Sequence, residues 1–127
     1  MEPNLTMQTA LVLFAISAVG GIVMATIRFS GKPHPPIWLA MLHGFLSAAA
    51  LTLLVYAACT VGLPTLALTA TVLFVIAALG GIVMNLNYHW KMLPLPKGLV
   101  LLHAGIAIVG FLCLLVAAWP TFGLHAT

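Results

Sequence analysis

The chain has 127 residues, 64% of them hydrophobic and only 4% charged, with four Lys or Arg against one Glu and a net charge of +3. Soluble domains carry about 25% charged residues and disordered chains are poor in Leu, Val and Phe, so both classes are excluded. The single acid, Glu2, excludes paired-carboxylate chemistry within one chain, and four basic residues make no nucleic-acid surface.

What remains is an all-α integral membrane protein. Runs this long and apolar satisfy their backbones in lipid as helices, and each span needs about 20 such residues. The first helix is expected over 8–29, closed by the break Arg28-Phe-Ser-Gly-Lys-Pro-His-Pro-Pro36. The second is expected over 37–61 and ends at the short turn Val61-Gly-Leu-Pro64. The third is expected over 65–87, before a polar break from Asn85 to Lys97 that holds Tyr88, His89, Trp90, Lys91, Pro94 and Pro96. The fourth is expected over 98–119, closed by Pro120. Pro36, Pro64 and Pro96 precede three of these helices, where the first turn needs no N–H. Residues 1–127 therefore read as one four-helix transmembrane domain.

All four basic residues, Arg28, Lys32, Lys91 and Lys97, fall at the first and third breaks. The excess of positive charge in cytoplasmic loops then puts those breaks inside and both chain ends on the outer side of a multi-pass plasma-membrane protein. Trp38, Tyr88 and Trp90 would line the cytoplasmic interface, with Trp119 and Phe122 at the other. No basic leader segment or small-residue cleavage site precedes the first apolar run, which reads as a retained helix and not a signal peptide. Cys59 and Cys113 occupy unmatched positions, so they are expected as buried free thiols.

The sequence is one helical hairpin written twice. Residues 9–24 reappear at 69–84, with Gly-Gly-Ile-Val-Met in both, and the same offset of 60 pairs Pro36 with Pro96 and Leu42-His43 with Leu102-His103. Without a gap, 19 of the 50 positions from Thr9 to Ala58 are identical to their partners. The repeats are bounded as 8–61 and 65–119. Each contains two helices, so both copies run the same way through the bilayer, and a pseudo-twofold along the membrane normal is expected.

That symmetry puts His43 and His103 at one depth. At a rise of 1.5 Å per residue, the two imidazoles lie roughly 9 Å inside the cytoplasmic boundary, and Gly20, Gly21, Gly80 and Gly81 roughly 12–14 Å inside. Ionisable side chains in a span mark functional sites by default, while the plainer reading is a neutral ring bonded to a neighbouring helix. The glycines admit either a flat cofactor edge or close helix packing, since Ser17-x-x-x-Gly21 and Ala77-x-x-x-Gly81 are small-xxx-small patterns. Met24 and Met84 could join the His pair around Cu(I), or simply fill the helix interfaces. His34, His89 and His125 read as solvated residues of loops and tail, and Asn85 and Asn87 as caps or headgroup ligands.

His on the second and fourth helices, with Gly on the first and third, resembles the haem-binding bundle of b-type membrane cytochromes. The resemblance implies that His43 and His103 are the axial ligands of haem b and that Gly20, Gly21, Gly80 and Gly81 give the porphyrin clearance. Those cytochromes usually place two His on each ligating helix; here each helix has one, which implies a single haem. The chain also resembles small bacterial inner-membrane proteins, which implies that location. Electron transfer between a quinol and a partner is one expectation. The other is a non-catalytic accessory subunit of a larger respiratory or photosynthetic membrane complex, or a homo-oligomer, packed in lipid. No phosphate loop, HExxH motif or Ser-His-Asp set points to a stand-alone enzyme.

Overall fold

The computed structural model describes residues 2–119, and these form four helices: α1 Pro3–Phe29, α2 Ile37–Thr60, α3 Thr65–Met84 and α4 Lys97–Ala118, with a π-helical turn Asn85–His89 continuing α3. Each helix is long and apolar enough to cross a membrane. Pro120, Phe122, His125 and Thr127, expected as a helix stop, an interfacial ring, a tail imidazole and a chain end, lie outside the described residues.

α1 begins five residues before its expected start. Pro3 occupies the first helical turn, and the polar residues that follow bond to helix carbonyls instead of opposing the helix. Thr6 Oγ1 donates to Glu2 O and Thr9 Oγ1 to Leu5 O, while Gln8 Nε2 donates to Ala118 O at the end of α4. The π turn is the second departure: Trp90 N–H reaches back five residues to Asn85 O. The wider turn carries His89 inward to 2% exposure, so it is a buried side chain and not a solvated one. A third departure is Cys59, which is free as expected but exposed, whereas Cys113 is free and partly buried.

The helices form a ring in chain order. α1 packs closely on α2 and α3 on α4, and α1–α4 and α2–α3 contacts close it. The core is lined by small residues that let backbones approach: Ala10, Ala50, Ala67, Ala70 and Ala118 are all fully buried. Burial recurs at the sixty-residue offset. Met7 and Ala67, Leu11 and Thr71, Ser17 and Ala77, and Leu54 and Leu114 are buried pairs. Phe14 and Phe74 stack across the bundle, with ring centroids 3.8 Å apart and planes 10° from parallel. The outward faces stay apolar, with Val19, Ile22, Phe45 and Trp38 each more than 60% exposed. At the basic end the two long loops are tied together. Arg28 Nε donates to Leu95 O at 2.7 Å, and Leu95 N–H to Pro33 O at 3.0 Å.

Candidate functional site

His43 on α2 and His103 on α4 face each other across the bundle, with centroids 6.2 Å apart and planes at 71°. Each ring is held by the neighbouring helix of its own hairpin. His43 Nδ1 lies 2.8 Å from Ser17 O, and His103 Nδ1 lies 2.7 Å from Ala77 O. Residues 17 and 77 are themselves sixty apart, so the two rings are held in equivalent ways. A carbonyl oxygen only accepts, so Nδ1 carries the proton in both rings. In the neutral tautomer this leaves the lone pair on Nε2. An outer carbonyl that fixes a histidine's tautomer and orientation is what metal-binding imidazoles generally have.

The four glycines adjoin these rings, as the repeat predicts. A Cβ on Gly21 would stand 3.1 Å from His43 Cε1, and one on Gly81 would stand 3.4 Å from His103 Cε1. At Gly20 and Gly80 the nearest atoms, His43 Cβ and His103 Nδ1, are both at 3.8 Å. Gly21 and Gly81 therefore seat the imidazoles against α1 and α3.

Ser17 makes the two halves unequal. Its hydroxyl lies 3.0 Å from His43 Nδ1, donates to His43 O at 3.1 Å and bonds to Ser47 Oγ at 2.5 Å. Ala77 and Ala107 occupy the equivalent positions in the second repeat, so His103 has only the carbonyl. Beside His43, a cleft of about 410 Å³ between α1 and α2 is lined by Ser17, Gly20, Leu39, Leu42 and Leu46 among others, and is almost wholly apolar.

Two protein donors are what this site offers. Among the described residues no group of three or more His, Cys, Asp or Glu could hold a metal ion. A metal centre at His43 and His103 must then bring most of its own ligands, as an iron porphyrin does with its four equatorial nitrogens, or be content with two. Met24 and Met84 are partly buried, as expected of residues at helix interfaces. The Ser17 hydroxyl and the two carbonyls are the parts of the site that reading the sequence missed. The serine was visible at position 17 as a small packing residue, but main-chain acceptors leave no trace in residue identity. The chain matches no protein-family model, no curated protein and no solved structure.

Proposed function

We propose that the protein is a one-haem b-type cytochrome of the bacterial inner membrane, in which His43 and His103 would hold the haem iron, exchanging electrons between a quinol and a partner. The observation that carries this reading is the facing pair of imidazoles. Two imidazoles bound in line to one ion through bonds of about 2 Å have centroids about 6.3 Å apart. The observed separation is 6.2 Å. The donor set fits as well, since both Nδ1 atoms are bonded to carbonyls and both Nε2 atoms hold the free lone pair.

Haem b, when bound, supplies one-electron redox chemistry, and axial ligand identity, outer hydrogen bonds and burial tune its potential. The chain's own residues do the rest. Ser17 O and Ala77 O keep the rings oriented, and Gly21 and Gly81 leave room for the Cε1 edge of each ring beside α1 and α3. The Phe14–Phe74 stack and the small-residue core keep water from the bundle interior. The apolar cleft beside His43 is where a quinol ring would approach from the lipid.

The sixty-residue equivalences of burial and of the His–carbonyl bonds support two parallel hairpins about a pseudo-twofold. The charge distribution supports an inside position for the two basic loops and an outside position for both termini. Haem content of the purified full chain tests the reading. Wild type is expected to bind one haem per chain, and His43→Ala or His103→Ala to lose most of it. Replacing His34 should leave the content unchanged. Equal haem in wild type and both Ala variants would refute the assignment.

A further inference from the structure

A second pair of histidines sits at the basic end of the bundle, outside the site just described. His34, in the loop between α1 and α2, and His89, at the end of the π turn, have ring centroids 5.2 Å apart. His89 is 2% exposed, and its Nε2 is buried without a hydrogen-bond partner. A buried polar atom left unpaired calls for a water or an ion. His34 is partly exposed, and its Nδ1 lies 3.4 Å from the carbonyl of its neighbour Pro35. That contact occupies one ring nitrogen and leaves Nε2 for a ligand.

The geometry points to a single zinc-class metal ion, Zn2+ or Cu+, bridging His34 and His89. Two imidazoles on one tetrahedral ion, with metal–nitrogen bonds of about 2.0 Å, have centroids about 5.1 Å apart. The surroundings select the ion. The chain's one acidic side chain, Glu2, stands at the start of α1, while the histidines lie beyond the far end of that helix. Hard cations such as Ca2+ and Mg2+ need oxygen ligands and are excluded, whereas imidazole suits late transition metals. The nearby positive charges have other partners in part. Arg28 is spent on the carbonyls of Leu95 and Lys32, and the Lys97 ammonium lies 5.5 Å from the centre of the Phe29 ring. Water completes the coordination on the exposed side of His34. The two loops are already joined through Leu95, so the donors are held close before the ion arrives.

The test is metal titration of the full chain in detergent, purified through a tag without histidine. Zn2+, and separately Cu+ under anaerobic reducing conditions, would compete against a chromophoric chelator. One ion per chain is expected for at least one of the two metals. His34→Ala should weaken it by at least about tenfold, because one of two protein ligands is gone. His89→Ala should do the same, but its burial puts folding at risk, so the exposed-loop variant is the decisive one. The His43→Ala/His103→Ala double variant should keep the ion, which separates this site from the haem reading. Wild type binding neither metal more tightly than His34→Ala would overturn the proposal, as would loss of the ion only in the double variant.

Discussion

At the scale of single residues, Gly21 and Gly81 are equivalent by repeat but not by clearance. A methyl at Gly21 would press on His43 Cε1 at 3.1 Å, a separation that requires the ring to give way, while 3.4 Å at Gly81 borders on ordinary contact. Gly21→Ala is therefore expected to lower haem content or shift its spectrum, and Gly81→Ala to do so much less. Gly20→Ala and Gly80→Ala should leave both unchanged. Spectra of the four purified variants check this order, and equal damage at 20 and 21 would contradict it. Ser17→Ala is a second case. It removes a hydroxyl from His43 but not the Ser17 carbonyl that holds Nδ1. On the proposed haem assignment, the variant should bind as much haem as wild type and shift only the midpoint potential, towards an environment like that of His103. Loss of haem in Ser17→Ala would show that the hydroxyl, not the carbonyl, orients the ring. The histidines and glycines of this site could be read from their recurrence at one offset. The carbonyl acceptors could not, because every residue has one and only the helix pairing decides which is used.

At the scale of elements, the three proline-preceded helices begin within one residue of where their sequence places them, because each of those prolines stands just before the first turn. The start of α1 was hidden by Asn4, Thr6, Gln8 and Thr9, which look like an exterior segment until the side chains of the last three bond to helix carbonyls. The end of α3 was hidden for a related reason. A π turn has no residue signature of its own, so His89 read as a loop side chain although it is buried. Packing within the elements gives a further prediction. Leu54 and Leu114 are both fully buried, one in each repeat. In lipid the transfer term for an apolar side chain largely vanishes and the packing term remains, so either Leu→Ala change should cost about 1–3 kcal/mol, at the low side of such truncations in water. Denaturation in mixed micelles measures both. A cost near zero at one of them and large at the other would mean that the two hairpins do not share one core.

At the scale of the whole molecule, four helices in a closed ring bring two diagonal pairs together. Phe14 meets Phe74 between α1 and α3, and His43 meets His103 between α2 and α4. The distribution of positive charge predicts an orientation too. Reporter domains inserted after Lys32 and Lys91 should read cytoplasmic, and one at Gly62 should read external, because every basic residue lies at the first two positions' end of the bundle. A cytoplasmic reading at Gly62 would invert the topology. If His43 and His103 together hold one haem iron, the optical spectrum of the dithionite-reduced full chain before and after carbon monoxide reveals it. A low-spin spectrum with a sharp α band that carbon monoxide leaves unchanged is expected, since two bound imidazoles would leave the iron no open position. A protein made with ample haem that stays colourless, or a reduced spectrum that shifts on adding carbon monoxide, would contradict it.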